Sequence, residues 1–215
     1  MKMQIILKKG SRIYNDLKEV KALNSLEEIK ISALARHIPI IMDDTLTKII
    51  ETIGDKKINS ILEIGTAVGY SALQFSKFLQ ENGKIDTIER DENMIVEAKE
   101  NIKLVEKNRT INIFEGDAVE ILPTFNDKYD MIFIDAAKGK YPFFLEQALR
   151  LLQKDGIIFA DNILYKGYVM SDYNKHKQRT AVTHLREYIK LVTEDPKLET
   201  EILEVGDGLA ITKLK

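Results

Sequence analysis

The 215-residue sequence contains no cysteine, which excludes disulfides, thiolate metal sites and a cysteine nucleophile. Histidine is scarce: His37, His176 and His184 are the three, and their spacing is not that of a metal-binding pair. No run approaches the ~18 apolar residues of a membrane span. The opening MKMQIILKKGSRIYNDL has too short an apolar stretch for a secretory signal. An excess of one charge is missing as well, since 32 Lys and Arg face 34 Asp and Glu for a net −2. No global basic field therefore draws the chain to nucleic acid or membrane. There is no internal repeat, low-complexity tract or Pro- or Ser-rich linker. What these absences leave is a cytoplasmic protein, 44% hydrophobic, long enough for one well-buried domain over 1–215. Any anionic partner must be met by a local patch, and any metal by oxygen.

What is present switches between two periods. INSILEIG (58–65), KIDTIE (84–89), TINIFEG (110–116), YDMIFID (129–135) and GIIFAD (156–161) are short β-type runs bounded by Gly, Asp or Asn. Helical stretches lie between them at 70–80, 92–106, 118–122 and 142–152, with Pro142 suited to a first turn. Strands alternating with helices predict βαβ units and an α/β, Rossmann-like, doubly wound sheet. A helix over 180–192 precedes LETEILEV and GLAITKLK, joined through Gly206-Asp207-Gly208 as an antiparallel hairpin at a sheet edge. The result is a mostly parallel, seven-stranded sheet. Residues 1–55 form an N-terminal helical region, with helices over 11–36 and 43–53, and 56–215 form the core.

In such sheets ligands bind beyond the carboxyl ends of the strands. The first strand ends in EIGTAVGYS, where Glu63, Gly65 and Gly69 lead into a helix, and the second ends in Glu89. A carboxylate there can accept both hydroxyls of a ribose, so a nucleoside-bearing cofactor is implied. Ala67 stands where the dinucleotide fingerprint has its middle glycine, which disfavours a nicotinamide cofactor. The bland alternative is that Gly65 and Gly69 only permit tight packing. Asp135 ends the fourth strand, and Asp161 and Asn162 end the fifth. Neighbouring strands lie ~4.8 Å apart, so three side-chain oxygens can converge on a hard cation such as Mg²⁺. Alternatively, Asp135 and Asp161 cap helices or pair with Lys138 and Lys166.

IIMDD, EIGTAVGYSA, TIERD, EGDA, FIDAAKGKY, ADNILYKG and VGDGLAITK, in that order from about residue 40 onward, together resemble the Mg²⁺- and S-adenosylmethionine-dependent O-methyltransferases of the catechol and caffeoyl-CoA type. Within that family, DAAKG, DN-x-L-[FY]-K-G and VGDGLA are most similar to the branch of bacterial tRNA 5-hydroxyuridine methyltransferases. The resemblance implies metal ligands at Asp135, Asp161 and Asn162, and S-adenosylmethionine contacts at Met42, Gly65, Ser71, Glu89, Asp117 and Asp135. It implies a catalytic lysine at Lys138 and a homodimer formed through the N-terminal helices.

A substrate with two adjacent oxygens would chelate the metal, its hydroxyl pKa would fall, and Lys138 would take the proton if neighbouring positive charge and partial desolvation depress its own pKa. Tyr141 either closes the pocket or packs at the start of the next helix, and packing is the reading preferred. The acceptor is expected to be a tRNA uridine or a small aromatic hydroxyl compound. Lys166, Lys175, Lys177 and Arg179, with Tyr165, Tyr168 and Tyr173, surround the segment after Asn162, and Lys8, Lys9 and Arg12 lie near the start. They are phosphate and stacking contacts in the RNA reading and a solvated face in the other. A reading of another class is a non-catalytic nucleotide- or RNA-binding module.

Overall fold

The β-branched runs form the strands of a single sheet in a computed structural model, which describes residues 25–106, 110–172 and 178–215. Strand β1 (Ile58–Ile64) lies parallel between β2 (Leu79–Glu89) and β4 (Tyr129–Ile134). Strand β3 (Thr110–Glu115) continues the parallel sheet beyond β2, and β5 (Leu152–Ala160) beyond β4. The hairpin of β6 (Leu198–Leu203) and β7 (Leu209–Leu214) closes it, β7 pairing antiparallel to β5, for the order β3-β2-β1-β4-β5-β7-β6. The helices are α1 (Leu26–Ala35), α2 (Asp43–Ile53), α3 (Tyr70–Ser76), α4 (Glu92–Val105), α5 (Ala118–Ile121), α6 (Tyr141–Leu151) and α7 (Arg179–Glu194).

Strand side chains alternate between faces, and both faces are covered. Ile61, Met131, Phe133 and Phe159 join Ile49 and Ile53 of α2 and Leu73 and Phe75 of α3 in one buried cluster. Leu62, Ile132, Ile134 and Ile158 point the other way, into Phe144 and Ala148 of α6 and Leu185 and Tyr188 of α7. Burying each large apolar side chain contributes about 1.5–3 kcal/mol relative to exposure. Continuous runs such as MIFI and IIFA are what a strand buried on both faces needs.

Three boundaries here differ from the sequence reading. Helix α3 stops at Ser76 instead of residue 80, because Leu79 already pairs with Ile58. Strand β2 then bows out and rejoins at Lys84 opposite Ser60; β5 does the same between Leu152 and Ile157. Asn82-Gly83 and Asp155-Gly156 thus mark interruptions inside strands. The expected N-terminal helix is described from Leu26, where Ser25 caps it by accepting from the Glu28 amide; residues 11–24 lie outside the described residues. Among the described residues no helix is long and apolar enough to cross a membrane.

The strand order reverses between β1 and β4, which opens a crevice at their carboxyl ends. Beyond each strand one more amide keeps the ladder: Gly65 donates to Ile88 O at 3.0 Å, Asp135 to Ile64 O at 3.0 Å, and Asp161 to Ile134 O at 2.9 Å. Gly65, Asp135 and Asp161 are thereby fixed side by side.

Candidate active site

A cavity of about 450 Å³ fills the crevice, and Gly65, Ser71, Glu89, Asp117, Asp135, Lys138 and Asn162 all reach its wall. Gly65 has φ 105°, and a Cβ there would stand 2.2 Å from the Asp135 carbonyl oxygen. Only glycine allows β1 and β4 to end this close together.

Glu89 is held by three backbone amides: Ala67 N donates to Oε2 at 2.9 Å, and Arg90 N and Asp91 N donate to Oε1 at 2.8 and 2.9 Å. A carboxylate offers about four lone-pair directions, so the free one is on Oε2. Glu89 thus keeps one lone-pair direction open toward the cavity with its loop amides in place. Asp117 caps α5, accepting from Val119 N at 2.8 Å, and lies 3.6 Å from the Arg90 guanidinium. Ser71 is buried in the first turn of α3. Met42 does not share this placement. It is the N-cap of α2, its side chain is 49% exposed, and Pro39, Ile40 and Ile41 line the cavity in its stead.

Beneath the glycine loop lies a chain of buried hydroxyls. Thr66 Oγ1 and Thr87 Oγ1 are 2.6 Å apart, and Thr87 donates to Glu63 Oε2 at 2.5 Å. Glu63 Oε1 meets no hydrogen-bond donor in good geometry among the described residues. Burial pushes the Glu63 pKa up to about 8, against the Ser71 and Thr87 hydroxyls and with the help of Asp135 and Glu89. The sequence signal was an acidic residue inside an apolar run, SILEIG. Thr66, Arg90 and Ala118, also on the cavity wall, carried no such signal.

At the ends of β4 and β5, Lys138 Nζ donates to Asp135 Oδ1 at 2.9 Å, to Asn162 Oδ1 at 3.1 Å and to Tyr141 Oη at 2.9 Å. Tyr141, fully buried at the start of α6, donates to the Asp161 carbonyl at 2.7 Å, as expected of a packing residue. Asp161 is 1% exposed; its Oδ1 accepts from Asn162 N at 2.7 Å, and its Oδ2 has no partner among the described residues. Burial, and then the charge of Asp135, push the Asp161 pKa up to about 7. For Lys138 the sequence makes a depressed pKa conditional on a neighbouring positive charge and partial desolvation; the structure shows the balance of the protein groups alone. Burial does act to lower it, but Tyr141 and Asp135 outweigh burial and raise it. The pairing of Asp135 with Lys138 is therefore present. Among the described residues no group of three or more His, Asp or Glu is arranged to hold a metal; the donors brought together here are two carboxylates and an amide oxygen. Of the flanking residues, Lys8, Lys9, Arg12, Tyr173, Lys175, His176 and Lys177 lie outside the described residues.

Residues 7–215 match the O-methyltransferase family. The catechol O-methyltransferase of Niastella koreensis is 32% identical over 165 residues, 73% of this chain and 73% of that one. A Staphylococcus aureus crystal structure superposes with a TM-score of 0.80 at 34% identity, covering 95% of this chain and 98% of the other. The O-methyltransferase of Bacillus cereus, solved with S-adenosylhomocysteine, gives a TM-score of 0.76 at 26% identity, covering 95% and 97%. With a doubly wound sheet, a nucleoside-sized crevice at its switch point and this match over nearly its whole length, the chain belongs to the O-methyltransferase family and is an S-adenosylmethionine-dependent enzyme.

Proposed function

We propose that the enzyme methylates an acidic hydroxyl beside a second oxygen, with a divalent cation held by Asp135, Asp161 and Asn162, and that its acceptor is 5-hydroxyuridine in tRNA. The observation that carries the metal is the donor set: Asp161 Oδ2 is buried without a partner among the described residues, and the Lys138 ammonium stands between Asp135 and Asn162. These residues fit a cation. Oxygen donors alone suit Mg²⁺ or Mn²⁺, and such a cation supplies a Lewis acid that lowers the pKa of a bound hydroxyl. The methyl group comes from S-adenosylmethionine.

The protein's own part is binding and placement. Glu89 presents Oε2 for a ribose hydroxyl, while Ser71 and Asp117 offer further polar contacts on the same wall. Gly65 brings the loop backbone against Asp135, so cofactor and acceptor sites share a boundary. Lys138 is held protonated by Tyr141 and Asp135 against burial. Once Asp135 is engaged elsewhere, burial acts with less opposition, and the amine is placed to receive the acceptor's proton.

The tRNA reading is supported by the spelling of DAAKG, ADNILYKG and VGDGLA and by the segment after Asn162. There Tyr165 and Tyr168 meet edge to face at 5.7 Å beside the exposed Lys166, a surface on which an extruded base can stack. A catechol-type acceptor is favoured by the Niastella koreensis relative and by the net charge of −2. A homodimer would use the exposed apolar side chains Ile31 and Leu34 of α1 and Ile50 of α2. The test is methyl transfer by purified protein to tRNA bearing 5-hydroxyuridine and, separately, to catechol, each with EDTA and after Mg²⁺ or Mn²⁺ is restored. Activity on tRNA that EDTA abolishes, and binding that falls steeply with salt as phosphates release counterions, are expected. Full activity in excess chelator removes the metal, and efficient turnover of catechol alone removes the tRNA.

A further inference from the structure

The chain leaves the sheet at Asn162 in an unusual way. Asn162, Tyr165 and Lys166 have φ 55°, 47° and 57°, in the left-handed region that residues with a Cβ seldom adopt. Such a run persists only where its surroundings over-determine it. The turn between β6 and β7 supplies that constraint. Ile163 N donates to Gly208 O and Leu164 N to Asp207 O, both at 3.0 Å, and Lys166 N donates to the Asp207 side chain, Oδ1, at 2.6 Å. Gly208, at φ 91°, lies so close that a Cβ would meet Leu164 Cγ at 2.4 Å. The turn is anchored in its own right: Gly208 N donates to Val205 O at 2.9 Å, and Gly206 N to Asp44 Oδ2 in the first turn of α2 at 3.1 Å. On the other flank Arg186 of α7 donates to the carbonyls of Val169, at 3.0 Å, and Ser171. Two sequence motifs far apart in the chain, ADNILYKG and VGDGLA, are thus one structural unit.

We infer that Asp207 is a positioning residue: its carboxylate fixes the loop after Asp161 and Asn162, and so sets where the Asn162 oxygen and the acceptor-side Tyr165 and Lys166 stand. The inference rests on the proposed role of Asp135, Asp161 and Asn162 as a metal site. A purely local role in the hairpin would have the side chain bond within its own turn, whereas it reaches across to Lys166 N.

The experiment compares Asp207→Ala and Asp207→Asn in the full chain. It reads amide exchange over 163–167, Mn²⁺ affinity by electron paramagnetic resonance without cofactor or acceptor, and S-adenosylhomocysteine affinity by calorimetry. Asp207→Ala should speed exchange in that loop and weaken Mn²⁺ about 10-fold, the lower end for groups that orient metal ligands, with S-adenosylhomocysteine affinity unchanged. Asp207→Asn, which keeps a carbonyl oxygen for Lys166 N, should restore both. Wild-type exchange in Asp207→Ala overturns the inference, and so does an equal loss of Mn²⁺ and S-adenosylhomocysteine affinity, which marks general loosening. If the wild-type protein binds no Mn²⁺, the metal reading is what fails, and the exchange measurement still decides whether Asp207 holds the loop.

Discussion

Replacing Glu63 by Gln should change how the stability of this protein depends on pH. Glu63 lies near the carboxyl end of β1, fully buried, with Thr87 donating to its carboxylate and the Ser71 hydroxyl also opposing the effect of burial. Burial takes its pKa from 4.5 to about 8. Between those values the folded state keeps a proton that the unfolded chain has lost. The stability linked to this group is complete below the unfolded pKa and is lost as pH rises through the folded one. From pH 5 to pH 8 the linkage relation, applied to that shift, gives a loss of about 3–4 kcal/mol. That is a large part of the roughly 5–15 kcal/mol that holds a domain folded. Glutamine is near in shape and cannot ionise, so the variant should lose nothing from this source. The raised Asp161 contributes equally to both proteins and cancels in the difference. Urea denaturation at a series of pH values measures it: the stability of Glu63→Gln relative to the parent should climb by about 3–4 kcal/mol over this range. Parallel curves for the two proteins would refute the account of a carboxyl kept neutral by burial.

Gly65→Ala forces a Cβ to 2.2 Å from the Asp135 carbonyl at φ 105°, and backbone strain alone should cost about 1–3 kcal/mol; unchanged stability with normal S-adenosylhomocysteine binding would show that β1 and β4 can part freely. Glu89→Ala should weaken S-adenosylhomocysteine by about 1–3 kcal/mol, the scale of hydrogen bonds to a charged group, and calorimetry showing wild-type affinity would remove Glu89 from the cofactor site. Lys138→Ala should leave that affinity unchanged and lower kcat by about 10²–10⁴-fold, the range for a lost general base, with partial recovery at high pH; retained turnover with lost cofactor affinity would reverse the roles of Glu89 and Lys138.

Much of the fold was legible because the signals were local. Five strands, their helices and the terminal hairpin follow from periods of two and 3.6 residues and from Gly, Asp and Asn at the breaks. The placement of Gly65, Glu89, Asp135, Asp161 and Asn162 at one edge followed from their positions at strand ends, since a parallel sheet turns the carboxyl ends of all its strands the same way. The bowed entries to β2 and β5 did not follow, because an Asn-Gly or Asp-Gly pair reads the same whether it ends a strand or interrupts one. Only the partner strand decides.

The side-chain chemistry of the site depended on tertiary structure for the same reason. Sequence alone placed Lys138 beside Asp135. It could not weigh burial, which lowers the lysine's pKa, against Tyr141 and Asp135, which raise it, because that balance depends on distances across two loops and a helix. Nor could it show that three amides of its own loops occupy most of Glu89, or that Met42 turns outward where the chain enters α2. The docking of Asp207 on Lys166 joins residues 41 positions apart in the chain. Residue types and spacing determined the sheet and which end of it carries chemistry, because backbone geometry is periodic. Which groups ionise, which are already bonded and which loops brace one another was decided by packing, because electrostatics and hydrogen bonds act through space.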